Sequence, residues 1–347
     1  MQKNVKRLVY WILLFSALTL PLFMKVQASD QANTRNNPPI PTPVVVPLVS
    51  QPGHQWYPSV SGDWIVFDDN RNYQAYPSGQ WGWDVYAFNI STKEEIRITV
   101  NYTTNQHYPQ IYQNSVVYQN DPNGDMDVFM YDLVARMETR ITNDPYWQGY
   151  PQIYKDKIVW MDGRWQNNYE IYLYDLTAGL ETRITNDSWQ QSNQCIYENI
   201  IVWEDQRNSN YDLYAYDLKK RREFQITSAP VRANSPRIYK NKLVWWDSRY
   251  GGEHPVIFLK DLATGRETQV TESTGSCGYP RIYGDNVVYA NAIPTQGDIY
   301  LYNIKTRKYT RITDHSTTQS QPDMCGNLIV WADYRNINPD IYGAWLR

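Results

Sequence analysis

Residues 150–185, YPQIYKDKIVWMDGRWQNNYEIYLYDLTAGLETRIT, form a unit that this chain of 347 residues repeats along most of its length. Aligned on the first proline of the unit, the copies start at Pro58, Pro109, Pro151, Gln194 (where the proline is lost), Pro236, Pro280 and Pro322. Successive copies lie 51, 42, 43, 42, 44 and 42 residues apart, and so steady a period marks a repeat architecture. Within the unit four strand signals recur, PQIY, KIVWMD, EIYLYDL and ETRIT, rich in Ile, Val, Tyr, Trp and Thr and separated by turn residues such as Lys-Asp, Asn-Asn and Ala-Gly. The second and third strands are apolar almost throughout, which a sheet covered on both faces requires. Four-stranded antiparallel sheets at this period, each buried between two like neighbours, predict an all-β fold, a β-propeller. Beyond the N-terminus no window carries apolar residues at helical spacing.

The two ends predict the blade count. The last copy supplies LIVWAD and IYGAWLR, and the chain stops after three strands. Placing PVVVPLVSQPGHQWYP beside ETRITNDPYWQGYP sets Leu48 on Ile141 and Val49 on Thr142. The expectation is a seven-bladed propeller whose last blade is closed by an N-terminal strand. Pro47 is tolerable on that outermost strand if its nitrogen faces outward.

Residues 1–28 read as a secretory signal peptide. Lys3, Lys6 and Arg7 precede an apolar run from Leu8 to Phe23, and Val26-Gln27-Ala28 offers small residues for cleavage. The competing reading is an uncleaved membrane anchor; no cysteine follows the run to carry a lipid. Residues 29–41 are polar and proline-rich, a disordered tether, and 42–347 form the propeller. The expected setting is secreted, periplasmic or cell-surface, with no membrane span once the signal is cleaved. Without residues 1–28 the chain carries 29 basic against 36 acidic residues and no basic tract, which argues against nucleic acid as a partner. Cys195, Cys277 and Cys325 are odd in number and lack CxxC spacing, and they read as small buried side chains rather than a disulfide or a metal site.

Five blades carry an aromatic residue, Asp two residues on and Arg two further: Phe67/Asp69/Arg71, Trp160/Asp162/Arg164, Trp203/Asp205/Arg207, Trp245/Asp247/Arg249 and Trp331/Asp333/Arg335. In blades 2 and 6 Tyr118 and Tyr289, with Asn120 and Asn291, replace the first two members and the arginine is gone. Members that change together form one physical unit, and a catalytic acid is needed once rather than five times, so the unit is read as structural, the arginine pairing with the carboxylate and lying on the ring. The acid before the third strand (Asp84, Asp127, Glu170, Asp212, Asp298, Asp340; Pro255 in blade 5) is expected to accept backbone N–H bonds in its loop. Glu95, Glu138, Glu181, Glu223 and Glu267 place charge on the outer edge, discouraging edge pairing.

A functional signal comes from the loops that open on the channel mouth. Gln55, Gln106, Gln148, Gln191 and Gln319 all stand three residues before the proline position. They are read either as bridges between blades or as a polar collar for a ligand. Aromatic residues crowd the same face: Trp56, Tyr57, Tyr108, Trp147, Tyr150, Trp165, Trp189 and Tyr279, with Tyr73, Tyr76, Trp81 and Trp83 from the long blade 1 loop. Loop aromatics beside amides suit sugar rings or protein hot spots. No cofactor is firmly expected. The candidate ion is calcium, at the alternating oxygen ligands Asp121, Asn123, Asp125 and Asp127, although the later glutamate of a calcium loop is missing. His54, His107, His254 and His315 share one face at different offsets, without an HxH or HExxH pair.

The units YPQIYKDKIVWMDGR…YEIYLYDLTAGLETRIT, QCIYENIIVWEDQR…YDLYAYDLKKRREFQIT and YPRIYGDNVVYA…GDIYLYNIKTRKYTRIT resemble the repeats of TolB-like (WD40-like) β-propellers, over residues 45–347. The resemblance implies the fold and an envelope or surface setting. TolB itself is similar to a six-bladed ring behind an N-terminal α/β domain, so its partner is not carried over. Oligogalacturonate lyases of the same superfamily are seven-bladed and hold manganese with histidines and a glutamine; no ligand set of theirs maps residue by residue onto this chain. Related peptidases carry an α/β-hydrolase domain, for which no residues remain. The expected function is non-catalytic binding of an envelope or extracellular protein or polysaccharide at the channel mouth. The alternatives are a metal-dependent polysaccharide lyase of the oligogalacturonate type and a structural module of a surface layer.

Overall fold

The computed structural model describes residues 43–72, 82–99, 105–122, 124–165, 168–228, 232–250, 255–272, 276–292 and 297–346. Residues 1–42, which include the expected signal and tether, and Tyr73, Tyr76, Trp81, Asn123 and His254 lie outside the described residues. The described chain forms seven four-stranded antiparallel sheets and no helix. In blade 3 the strands are Gln148–Tyr154, Lys157–Asp162, Glu170–Asp175 and Leu180–Arg183, paired in chain order from the inside out. The inner strand begins three residues before the proline, earlier than PQIY alone suggested.

Blade 7 is assembled from both ends of the chain. Its inner three strands are Gln319–Cys325, Leu328–Asp333 and Asp340–Trp345, and Val45–Val49 pairs on the outside of the third. Pro47 stands opposite Tyr342 as Arg140 stands opposite Phe129, but Leu48 is an extra residue, and Val49 pairs with Ile341 where Ile141 meets Val128. Val49 and Ser50, one residue later than the sequence alignment set them, therefore take the places of Ile141 and Thr142. The register slips between Pro47 and Val49. Leu48 lies so close to Gly343 that a Cβ there would meet Leu48 Cδ1 at 2.5 Å and the Ile329 carbonyl at 3.1 Å; a side chain at this point of the third strand would force Leu48 out of its place. Val49 is buried with Val60, Ile65 and Phe67 of blade 1 and Val330 and Ile341 of blade 7, so one short strand fastens the first blade to the last.

The hydrophobic core is distributed between neighbouring blades. Val159, Ile171 and Met161 of blade 3, for example, pack against Ile196, Ile201 and Trp203 of blade 4. Two hydrogen-bonded clusters recur in the blades and account for most of the repeated polar letters. In the first, the Asp205 carboxylate accepts Trp203 Nε1–H at 2.9 Å and both Nε and Nη2 of Arg207 at 2.9 and 2.7 Å. Asp162, Asp247 and Asp333 do the same in their blades. In blade 1, where Phe67 has no N–H to give, Asp69 receives Arg71 alone, at 2.8 and 2.6 Å. The arginine lies on a ring, but on that of the third strand: Arg71 over Tyr86, Arg164 over Tyr172, Arg207 over Tyr214, Arg249 over Phe258 and Arg335 over Tyr342, at 3.8–4.4 Å. Its other terminus reaches the outer-strand glutamate, as Arg207 Nη1 reaches Glu223 at 2.6 Å. That glutamate is therefore a partner within its blade. Where the arginine is missing, in blade 2, the buried Tyr118 hydroxyl donates to Glu138 instead.

The second cluster corrects the reading of the acid before the third strand. Its partners lie in the R-I-T piece of the outer strand: Glu170 accepts Thr185 Oγ1–H at 2.6 Å and Arg183 Nη2–H at 2.8 Å, while Thr185 Oγ1 accepts the Ile171 N–H at 2.8 Å. Asp127 and Asp298 repeat the pattern with Thr142 and Arg140, and with Thr313 and Arg311. In blade 7 the hydroxyl comes from the other end of the chain, Ser50 Oγ to Asp340 at 3.1 Å.

Candidate functional site: the channel mouth

Each inner strand is bulged where it nears the mouth. Pairing slips between Trp56 and Ser59, His107 and Gln110, Gly149 and Gln152, Ser192 and Cys195, Asn234 and Arg237, Gly278 and Arg281, and Ser320 and Asp323. The bulge lets a proline sit in a strand without breaking a ladder bond. The residue before the proline position is left-handed in every blade: Tyr57, Tyr108, Tyr150, Asn193, Ser235, Tyr279 and Gln321 have φ between 50 and 56°. Such a conformation costs about 1–3 kcal/mol and persists only where the surroundings over-determine it. In four blades a side chain from the preceding blade holds the backbone N–H. Gln321 Oε1 accepts from Tyr57 at 3.0 Å, Asp68 Oδ2 from Tyr108 at 3.3 Å, Gln119 Oε1 from Tyr150 at 2.9 Å and Glu204 Oε1 from Ser235 at 2.6 Å.

These seven residues rim an axial cavity of about 170 Å³ to which every blade contributes. Tyr57 and Tyr108 have ring centroids 4.7 Å apart and Tyr108 and Tyr150 4.6 Å apart, a continuous aromatic arc over blades 1 to 3. Burial pushes the Tyr57 and Tyr108 hydroxyls above the ordinary phenol value, so they stay protonated donors. Tyr150 and Tyr279 are 37% and 49% exposed and present their rings to solvent. Below the rim lie Gln110, Gln152, Arg237 and Arg281. At the far end of the inner strands Tyr112, Tyr154, Tyr197, Tyr239 and Tyr283 pack ring to ring at 4.5–5.1 Å.

The glutamines do not form a collar for a ligand. Gln55, Gln106, Gln148, Gln191 and Gln319 are fully buried. Their place in the strand, opposite the last residue of the second strand, turns them into the seam between blades. The backbone N–H of Gln55, Gln106, Gln148 and Gln191 donates to Pro339, Trp83, Met126 and Tyr169, each at the foot of the preceding blade's third strand. Most of the side chains turn back on their own loops, as Gln191 Nε2 does to the Trp189 carbonyl at 2.6 Å and Gln319 Nε2 to that of Thr317 at 2.7 Å, while Gln106 Nε2 donates across the ladder to Asn120 Oδ1 at 3.1 Å.

Other expected contacts divide. Trp83 is buried and stacks on Trp56 at 5.0 Å, with His107 5.6 Å away, so both indoles belong to the wall beside the mouth. His107 Nδ1 lies 3.1 Å from Asp68, whose carboxyl burial pushes up. Trp165 is half exposed but away from the axis: it donates to Tyr172 at 2.8 Å and lies under Arg183 of the outer strand. The calcium run does not assemble among the described residues. Asp127 is buried and engaged by Thr142 and Arg140, and Asp121 caps the Asn105 N–H at 2.7 Å. His54 packs on Trp56 and His315 Nδ1 meets Thr317 Oγ1 at 2.9 Å; no three His, Cys, Asp or Glu among the described residues converge on a metal position. Among the described residues no set fits the manganese that the oligogalacturonate lyases hold. Cys195, Cys277 and Cys325 are free thiols.

A seven-bladed propeller with a tyrosine-rimmed axial cavity is the class that fold and site define. Among solved structures the chain is similar to an oligogalacturonate lyase in complex with manganese (TM-score 0.68, 15% identity, 87% of this chain and 93% of that one). It is similar to the β-propeller domain of the trilobed protease from Pyrococcus furiosus (TM-score 0.67, 10% identity, 84% and 93%). It is also similar to TolB from Acinetobacter baumannii (TM-score 0.53, 15% identity, 70% of this chain and 62% of that one). Neither the protein-family models nor the curated proteins gave a match. The chain is thus similar in fold to these propellers, TolB among them, and at these identities the likeness is one of fold alone.

Proposed function

We propose that this protein is a non-catalytic binding propeller that seats a saccharide, as a single ring or chain end, at the channel mouth. The observation that carries the reading is the rim. Blades 1, 2, 3 and 6 place tyrosines at the left-handed position, and blades 4, 5 and 7 place Asn193, Ser235 and Gln321 there. Flat rings beside amides and a hydroxyl match the faces and edges of a sugar. The cavity is smaller than the roughly 300–1,000 Å³ of a site for a drug-sized ligand, which favours one ring over a long buried segment. The N-terminal pattern of residues 1–28 supports a secreted, periplasmic or surface setting, where polysaccharides of the envelope or its surroundings are the natural source of the ligand.

The test is a depletion assay of the purified chain against plant, algal and bacterial polysaccharides, with and without Mn²⁺ or Ca²⁺, scoring free protein and unsaturated sugar ends together. Depletion without new ends, weakened by Tyr279→Ala, is the expected result. Unsaturated ends that vanish with chelator overturn it in favour of the lyase. No depletion by any polysaccharide overturns it in favour of a protein partner or a structural module.

A further inference from the structure

We propose that Arg237 and Arg281 form an anion subsite beneath the tyrosine rim, so that the preferred ligand carries a phosphate or carboxylate group. The proposal rests on the reading of the mouth as a saccharide site. One residue beyond the proline position, the ring of inner-strand residues reads Ser59, Gln110, Gln152, Cys195, Arg237, Arg281 and Asp323. Two guanidiniums from adjacent blades therefore stand together in the channel with one carboxylate. Asp323 is 3.5 Å from Arg281 Nε, and its Oδ2 is already occupied by the Val60 N–H at 2.9 Å. Each guanidinium donates to the backbone carbonyl of the preceding proline, Arg237 Nη1 to Pro236 at 2.7 Å and Arg281 Nη1 to Pro280 at 3.1 Å. A guanidinium has five N–H donors, so both present further donors to the cavity they line.

The other charge near this pair is Glu204, which lies across from Arg237 and Arg232 and is tied down by Asn193 Nδ2 at 2.8 Å and the Ser235 N–H at 2.6 Å. Burial and the neighbouring Arg237 charge together pull Arg281 down to about 9, which leaves it charged at neutral pH while registering the cost of its surroundings. A chain with a net charge of -3 thus concentrates positive charge at its axis. Paired guanidiniums suit a bidentate oxyanion, and a low-dielectric channel strengthens the contact.

The experiment is calorimetric titration of the full chain and of Arg281→Gln and Arg237→Gln with glucose, glucose 6-phosphate, glucuronate and inorganic phosphate, each at low and high salt. The expected result is at least tenfold tighter binding of the charged sugars than of glucose, a difference that shrinks with salt and disappears in Arg281→Gln. Equal binding of charged and neutral sugars overturns the anion subsite and leaves the saccharide reading standing. Arginine-dependent binding of inorganic phosphate with no sugar binding supports the anion subsite and overturns the saccharide reading. Binding of none of the four overturns both. If either substitution unfolds the chain, competition decides in the unmodified protein: inorganic phosphate must displace glucose 6-phosphate, and failure to do so overturns the subsite.

Discussion

Gln191 and Asn193 stand two residues apart in one strand and belong to different worlds. Gln191 is fully buried in the seam between blades, and its counterparts Gln55, Gln106, Gln148 and Gln319 are buried likewise. Asn193 lines the axis, and its counterparts range over Tyr, Ser and Gln. The bulge between them makes the difference, because it turns the chain from the ladder of its own blade into the channel. Repetition therefore marks what every blade needs in order to pack, and variation at a fixed backbone position marks where the molecule acts. Each prediction below breaks one side of that contrast.

The largest effect is expected at the closure. Deleting residues 45–49 takes the buried Val49 and part-buried Leu48 out of the core between blades 7 and 1 and bares the edge of Asp340–Trp345. Two such side chains amount to roughly 3–6 kcal/mol. An unfolding midpoint unchanged from that of the intact chain would refute closure by both termini. Next comes the seam: Asp205→Ala removes the acceptor of Trp203 and Arg207, both of which remain in place. Breaking a buried pair by removing one partner costs on the order of 4 kcal/mol. Denaturant titration should show that loss. Asp205→Asn should lose less, because the amide oxygen still accepts from Trp203.

How far the sequence reached follows the same division. The blade count and the closing strand were legible because strands repeat with a period and side chains alternate; the bulge at Leu48, which puts Val49 rather than Leu48 in the place of Ile141, was not. The partners within each cluster were only half legible. The spacing of Asp205 and Arg207 announces a pair, but that Thr185 and Arg183 return to Glu170 depends on an outer strand folding back beside the third, which letters alone do not display. The glutamines left two readings open, bridge or collar, because repetition at a loop does not tell packing from display; their ladder position opposite the second strand buries them and decides for the bridge. Arg237 and Arg281 went unread although a signal existed: they are the two basic residues at a position that elsewhere holds Ser, Gln, Cys or Asp.

Glu204 lies on the border between seam and axis and offers a pH test. Burial raises its carboxyl to about 7, against the pull of the Ser235 N–H, Asn193, Arg232 and Arg237. A carboxyl raised on folding keeps its proton in the native chain at pH values where the unfolded chain has released it. Its contribution is therefore full below about 4.5 and is lost as pH rises through 7. A shift of this size corresponds to about 3 kcal/mol. Glu204→Gln should remove that much of the fall in stability between pH 5 and 8, measured by denaturant titration against the unsubstituted chain. An identical pH dependence in both proteins would place the titration elsewhere.

The smallest effect on stability, and the sharpest test of the contrast, is at Tyr279. Its ring is half exposed at the rim, and its backbone is already left-handed, so removing the side chain opens no seam and breaks no cluster. Tyr279→Ala should change unfolding free energy by less than about 0.5 kcal/mol, as surface substitutions do. The same change removes one of four rings around the cavity and should weaken saccharide binding several-fold. Tyr118→Ala, at a fully buried position in the seam of blade 2, should do the reverse, destabilising by about 3–5 kcal/mol. In the fraction that stays folded, it should leave ligand affinity as it was. If Tyr279→Ala instead unfolds the chain while binding per folded molecule is unchanged, the rim is part of the packing and the separation of seam from axis fails.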